Sequence, residues 1–367
     1  MKILILSNSA EGLYDFRFEL IQRILNEGNE VFLSLPDPED SEKVRLLKDS
    51  GAEYIQTQIN RRGMHLSEDL KLIIKYNNII KDVRPDLVLT YTIKPNIYGS
   101  IVAEKYKIPV IMNITGLGST LQNSRIKKLI MMLYRYACRK VNFVFFQNYS
   151  NRHFFIANKI VRENKTKLVP GSGVNIKKFV PRQKSNSDGI IKFLFIGRIM
   201  KEKGIEEFLE AADKVTGIYE NVEFLILGYF EEPKYSYLEK ATKNQRIKYI
   251  GSSDDVREVI KDVDCIINPS YHEGMSNVLL EGAAMGKPLI ASNIPGCKEI
   301  IDDGKNGYLF EVKSSKSLEE KIIRFIGLSQ EEREKMGQAS REKVENEFDR
   351  EIVIDEYMKA IDYIIRG

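Results

Sequence analysis

The chain has 367 residues, 43% hydrophobic and 29% charged, which is enough for two ordinary hydrophobic cores and excludes a disordered or fibrous class. A formal net charge of +4 is too small to point to nucleic acid as a partner. Cys138, Cys265 and Cys297 are widely spaced, with no C-x-x-C and only His65, His153 and His272 beside them, so neither a disulfide framework nor a zinc site is expected.

The start, MKILILSNSAEG, is too short in its apolar part for a signal peptide, and no run reaches the ~18 apolar residues of a membrane span. A cytoplasmic protein is expected. In chain order, residues 3–6 form a buried-strand run. Residues 8–12 turn into a helix carrying Phe16, Leu20, Ile21 and Ile24 that ends near Gly28, and 30–35 is a second strand, so the chain opens as a β-α-β unit. Gly12 falls where a βα loop approaches a phosphate, but the surrounding residues do not spell G-x-G-x-x-G, and a turn glycine is an equal reading. Strand runs recur at 54–56, 86–91, 109–114, 141–147 and 167–169 with helical segments between, the alternation of a doubly wound parallel α/β sheet.

Residues 124–140, SRIKKLIMMLYRYACRK, contain no acid. At 100° per residue Arg125, Lys128, Arg135 and Arg139 fall within roughly 80° of one another. Ile126, Leu129, Ile130, Leu133 and Ala137 occupy the opposed arc, with Met131, Met132, Tyr134 and Tyr136 between the two. Such a helix suits contact with anionic lipid or a polyprenyl pyrophosphate, and a core helix with a wet cationic face fits the same pattern.

Residues 175–189 are polar, with Pro181, Ser185, Ser187 and Gly189, and read as a linker dividing 1–180 from 181–349. The pattern restarts with strands at 190–196, 222–227, 247–250, 264–268 and 289–291, a second Rossmann-like lobe. The final segment, 348–365, is amphipathic by its Ile352, Ile354, Tyr357, Ile361 and Ile364 spacing.

Two stretches of this second lobe carry chemistry. After strand 190–196 comes Gly197-Arg198-Ile-Met-Lys201-Glu-Lys203-Gly204, in which the planar fork of Arg198 and the point charge of Lys203 can neutralise a diphosphate. After strand 264–268 comes PSYHEGMSNVLLEGAAMGKPLIAS, a polar loop and then a helix with Ser276 as N-cap, stopped by Gly286, Lys287 and Pro288. Glu273 lies before that helix and Glu281 about two turns inside it. Free N–H groups of Gly274, Met275, Ser276 and Asn277 would face a phosphate, favoured by the helix dipole, while the carboxylates accept hydrogen bonds from hydroxyls. The layout suits a sugar-nucleotide cradle, and a solvated helix residue at Glu281 with a loop charge at Glu273 fits the same residues.

The run Glu273-Gly-Met-Ser-Asn-Val-Leu-Leu-Glu281, with PS-x-x-EG before it and E-x-x-A-x-G-x-P-x-x-A-S after it, resembles the E-x7-E signature of the retaining glycosyltransferases of family 4. G-R-x-x-x-x-K-G resembles that family's diphosphate clamp, with Lys203 rather than Lys201 at the family position. The resemblance covers essentially the whole chain and is most specific over 195–310. It implies a GT-B fold, two Rossmann-like lobes facing a cleft, with the helix at 350–367 returning to the first lobe. It implies that Glu273 contacts the donor sugar, Glu281 the ribose, and Arg198 and Lys203 the leaving diphosphate. Pro295-Gly296 stands where relatives commonly have two glycines, and Thr115 where many have a histidine that contacts the donor sugar.

In the first lobe Tyr14-Asp-Phe16-Arg17, Thr92-Ile-Lys94-Pro-Asn96-Ile-Tyr98-Gly99 and Asn113-Ile-Thr115-Gly116-Leu117-Gly118-Ser119 resemble the subgroup that extends lipid-linked glycans for capsule, O-antigen or protein glycosylation. Polar residues at the carboxyl ends of parallel strands face a binding crevice, so Arg17, Lys94, Asn113 and Thr115 are expected to bind the acceptor. The expected activity is retaining transfer of a hexose or N-acetylhexosamine from a nucleotide-diphosphate sugar, UDP-linked, to a polyprenyl-pyrophosphate saccharide. No cofactor or metal is expected, since no D-x-D pair sits where one would be placed, and the expected station is the inner membrane surface, held peripherally. A nucleotide-sugar epimerase of the same architecture needs acid and base groups that three histidines supply poorly, and a catalytically silent binding subunit is opposed by intact Glu273, Glu281, Arg198 and Lys203. A dehydrogenase lacks its dinucleotide fingerprint.

Overall fold

A computed structural model describes residues 1–60, 66–116, 124–185, 189–240 and 244–366, the side chains of 124–126 and 240 excepted. His65, Leu117, Gly118, Ser119, Ser187 and the side chains of Arg125 and Ile126, all invoked above, lie outside the described residues. The chain divides into two compact units, Met1–Ser172 with the chain from Glu351 onward, and Gly173–Arg350.

The first unit runs β1 (Lys2–Leu6), α1 (Ala10–Asn26), β2 (Glu30–Leu35), α2 (Glu42–Asp49), β3 (Glu53–Gln56), α3 (Leu66–Val83) and β4 (Leu87–Tyr91). A π-helical turn, Pro95–Gly99, leads into α4 (Ser100–Lys105), followed by β5 (Val110–Ile114), α5 (Ser124–Ala137), β6 (Phe143–Phe146), α6 (Tyr149–Ala157) and β7 (Thr166–Leu168). All seven strands are parallel in the order β3-β2-β1-β4-β5-β6-β7. Strands such as Lys2–Leu6 and Leu87–Tyr91 are buried on both faces, which is why they read as continuous apolar runs rather than alternating ones. One face carries Leu4, Leu6, Val88, Met112 and Phe146 against α3, α4, α5 and α6. The other carries Ile3, Ile5, Leu89, Ile111 and Phe145 against α1 and α2.

The second unit runs β8 (Ile191–Ile196), α7 (Ile205–Ile218), β9 (Val222–Leu227), β10 (Ile247–Tyr249), α8 (Arg257–Ile260), β11 (Cys265–Asn268), α9 (Asn277–Ala284), β12 (Leu289–Ser292), β13 (Gly307–Phe310), α10 (Ser315–Ile326) and α11 (Gln330–Glu347). Its six parallel strands are ordered β10-β9-β8-β11-β12-β13. Strand β13 was not read from the sequence, because GYLF is short and follows a glycine-rich loop. The last helix, α12 (Arg350–Arg366), belongs to the first unit, where Val353, Ile354, Tyr357, Met358, Ala360 and Ile361 join the face covered by α1 and α2.

The polar stretch 175–189 is not a free linker at its start. Val174 and Phe179 are buried in the second unit, and Val174 exchanges backbone hydrogen bonds with Phe348 and Arg350 at 2.9 and 3.0 Å. The crossover therefore falls at Ser172–Gly173 rather than near residue 180. Hydrophilic composition marked the segment's surface position but not the backbone pairing that fixes it.

Candidate functional site

Both sheets reverse direction of growth beside their first strand, between β1 and β4 in one unit and between β8 and β11 in the other. In such sheets the loops at the carboxyl ends of those two strands splay apart and leave a crevice. In the second unit these are the loops Gly197–Gly204 and Pro269–Ser276, and Ile267 pairs with Phe195 so that the strands end abreast. The two clusters singled out by motif are therefore neighbours on the switch point.

Several bonds hold them together. Lys203 Nζ meets Glu273 Oε1 at 2.6 Å, a partly buried pair. The Tyr271 hydroxyl donates to Glu207 Oε1 at 2.6 Å, and the Tyr271 N–H donates to the Glu202 carbonyl at 2.9 Å. Gly204 adopts φ +73°, and a Cβ there would stand 2.1 Å from the Pro269 carbonyl oxygen, so only glycine allows this approach. Arg198 is exposed, with Nη1 at 3.9 Å from Glu231 Oε2 in the loop after β9. Sequence reasoning missed Glu231, Glu207 and Tyr271, because each acts through a tertiary pairing.

Ser276 caps α9 as expected, its side chain accepting from the Leu279 N–H, and Asn268 Nδ2 donates to the same oxygen at 2.5 Å. The Ser276 N–H is not free, however. It donates to the Gly296 carbonyl at 2.8 Å, because Gly296, at φ +87°, brings its loop against Glu273 and Gly274, where a Cβ would lie 2.8 Å from the Gly274 oxygen. Gly274 is also engaged, and Met275 packs into the core beside Leu279. The anion cradle thus narrows to the first residues of α9, where helix geometry leaves the N–H groups of Asn277 and Val278 without intrahelical partners. The Asn277 Oδ1 is buried without a hydrogen-bond partner. Glu281 is the fifth residue of α9, a little over one turn inside it, half-buried and engaged. Burial pushes the nearby Cys297 thiol well above its usual range, with Glu273 adding to the effect, which makes it inert.

In the first unit Gly12 is not in a loop but in the first turn of α1, where its N–H donates to the Ser9 hydroxyl at 3.2 Å. Lys94 Nζ is paired with buried Asp69 at 2.8 Å, and burial together with Asp69 pushes the Tyr98 phenol up to about 12. Asn113 is 0% exposed, its Nδ2 donating to the Tyr357 hydroxyl of α12 at 2.6 Å, so it is committed to holding that helix instead of meeting an acceptor. Arg17 is buried and Thr115 half-buried at the end of β5.

Helix α5 departs from its expected faces. Ile130, Tyr134 and Ala137 go to the core, while Leu129, Met132 and Tyr136 are exposed alongside Lys128 and Arg139. Arg135 turns to α6, where Nη2 donates to the Asn158 carbonyl at 2.8 Å, a cation on a helix C-terminus. The apolar residues of α5 outnumber what one buried stripe can hold, so the surplus shares the surface with the cations.

Among the described residues no helix is long and apolar enough to cross a membrane. Residues 177–343 match the family model for glycosyl transferases group 1, and residues 2–148 that for glycosyl transferase 4-like proteins. The chain is 27% identical to the N,N'-diacetylbacillosaminyl-diphospho-undecaprenol alpha-1,3-N-acetylgalactosaminyltransferase of Campylobacter jejuni, with 100% of both chains covered. It is 25% identical to the UDP-Gal:alpha-D-GlcNAc-diphosphoundecaprenol alpha-1,3-galactosyltransferase of Escherichia coli, over 72% of each. Its fold matches the crystal structure of Anabaena HepE in complex with UDP and glucose with a TM-score of 0.80 at 18% identity, over 99% of both chains.

Proposed function

The chain belongs to the family 4 glycosyltransferases of GT-B fold, and on that premise we propose that it moves a hexose or N-acetylhexosamine from a UDP-sugar to a polyprenyl-pyrophosphate-linked saccharide, with retention of anomeric configuration. The observation that carries the donor half is the Lys203–Glu273 pair at the switch point. An ammonium has three donors, so Lys203 can hold Glu273 and still reach a diphosphate oxygen, while Glu273 keeps lone pairs for sugar hydroxyls. Fixing both side chains before the donor arrives lowers the ordering cost of binding. Arg198 adds the second cation. As the glycosidic bond loosens, charge builds on the leaving diphosphate, and the held Lys203 ammonium together with the exposed Arg198 guanidinium stabilises it there without a metal ion. Glu281 would take the ribose hydroxyls.

The acceptor and donor classes are supported by the two relatives, both named for a diphospho-undecaprenol acceptor and one for a UDP-sugar donor. A lipid-linked acceptor requires the first unit to reach a bilayer, and the mixed cationic and apolar surface of α5 fits peripheral attachment at the cytoplasmic face.

Replacing Glu281 with alanine is expected to weaken UDP binding by ~1.5–3 kcal/mol, roughly 10- to 150-fold in Kd. Lys203→Ala is expected to lower turnover more than melting temperature. Calorimetry and steady-state rates check both. Unchanged UDP affinity in Glu281→Ala would remove that residue from the site.

A further inference from the structure

Three neighbouring strands of the first unit end in polar side chains on the same face. Along β4 the residues facing α1 and α12 are Leu87, Leu89 and Tyr91, and on β5 and β6 the same alternation runs from Ile111 to Asn113 and from Phe145 to Gln147. Into this polar end α1 delivers Arg17, which is only 4% exposed. Its guanidinium lies 5.2 Å from the Tyr91 ring, and Nη1 donates to the Phe16 carbonyl at 2.6 Å. With the Gln147 amide turned to satisfy both its ends, Nη2 donates to the Gln147 oxygen at 3.2 Å and the Gln147 nitrogen donates to the Thr115 carbonyl at 3.0 Å.

Among the described residues no carboxylate forms an ion pair with Arg17, and its Nε–H is buried with no acceptor. A guanidinium has five donors and keeps its charge at any working pH. Buried charges are normally paired, and leaving one unpaired is costly unless a partner arrives. The fork that remains matches phosphate oxygens, with which arginine makes short charge-assisted bonds. At the end of β4, next in the chain to Tyr91, the Thr92 hydroxyl is also buried without a partner and can donate to an anion. Thr92, just past the end of β4, holds φ +71°, a conformation that costs energy for a β-branched residue and persists where surrounding structure enforces it.

We propose that Arg17 is the anion anchor of the first unit and binds a phosphate of the isoprenoid diphosphate that carries the acceptor saccharide. Gln147 positions the guanidinium by accepting from Nη2, which leaves Nε and the outer donors for the ligand. This deepens the acceptor half of the function proposed above and rests on it. The same diphosphate chemistry could come from the donor nucleotide, and the two sources separate experimentally.

The test uses the full chain with 15N-labelled arginine side chains, the Arg17 Nε–Hε resonance being assigned by its absence in Arg17→Lys. Farnesyl diphosphate is expected to shift that resonance, and UDP at saturation is not. In steady-state assays Arg17→Gln is expected to raise the KM for a polyprenyl-diphosphate saccharide by roughly 10- to 100-fold, the loss expected of a charge-assisted bond to a desolvated group. Arg17→Lys should fall between, and the UDP dissociation constant should stay within about two-fold. A resonance that ignores farnesyl diphosphate makes Arg17 a structural strut, as does a lowered melting temperature with unchanged KM. A resonance that moves with UDP alone transfers the anchor to the donor. Because the resonance shift needs no turnover, it reports on Arg17 even if the transfer reaction itself is assigned wrongly.

Discussion

Lys287 shows how a residue read only as a helix stop takes a structural part of its own. It is buried, and its Nζ donates to the carbonyls of Lys261 and Val263, both at 2.8 Å. Desolvation lowers its pKa to about 8. A lysine held lower in the folded than in the unfolded chain binds fewer protons when folded between about pH 8 and the ordinary lysine value. Its contribution to stability therefore rises as pH passes through that window, by at most ~3 kcal/mol, and its cost is fully present below it. The stability of the parent relative to Lys287→Met should increase from pH 7 to pH 10 in denaturant titrations. A pH-independent difference would contradict the lowered pKa. At this scale the sequence marked Arg198, Lys203, Glu273 and Glu281 as candidates, because each is tied to its neighbours by short fixed spacing, and the structure brings Lys203 and Glu273 together. It hid Glu231, Asp69 and Gln147, because a partner brought by the fold leaves no local spacing to read.

Helices were legible in position and less so in facing. The expectation for α7 from Ile205 matches its first residue, since Gly204 marks the break chemically. The faces of α5 were misjudged, because periodicity sorts polar from apolar but does not say how much apolar surface the sheet can cover. Tyr134 went in and Leu129 came out. Helix α3 gives the same lesson. Leu66, Leu70 and Ile74, at i, i+4 and i+8, are exposed, Leu66 at 85%. Helices α3 and α5 pack on one face of the seven-stranded sheet and each leaves apolar residues exposed, those of α5 alongside Lys128 and Arg139. Each basic residue near an anionic bilayer contributes ~1 kcal/mol, so docking should be reversible and salt-sensitive. We expect Arg125→Gln, Lys128→Gln and Arg139→Gln together to abolish pelleting with anionic liposomes at low salt, with UDP affinity unchanged. Arg135 is left intact, since it braces α6. A parent protein that ignores anionic vesicles would show that this face serves another purpose.

For the molecule as a whole, strand-helix alternation was enough to specify two doubly wound sheets, and their switch points then located both loop clusters at crevice ends of strands. The division of the chain was less legible, because Val174 pairs with Phe348 across most of the second unit's sequence, and a polar segment does not advertise such pairing. The central claim is retaining, metal-independent transfer from a UDP-sugar to an isoprenoid-diphosphate saccharide. It is tested most directly by incubating the protein with a panel of UDP-, GDP- and dTDP-sugars and a polyprenyl-diphosphate saccharide in the presence of EDTA, then reading the product's anomeric configuration by NMR. The account predicts acceptor-dependent UDP release and a product that keeps the donor's configuration. An inverted product, or activity that vanishes with EDTA and returns with Mg²⁺, would contradict it.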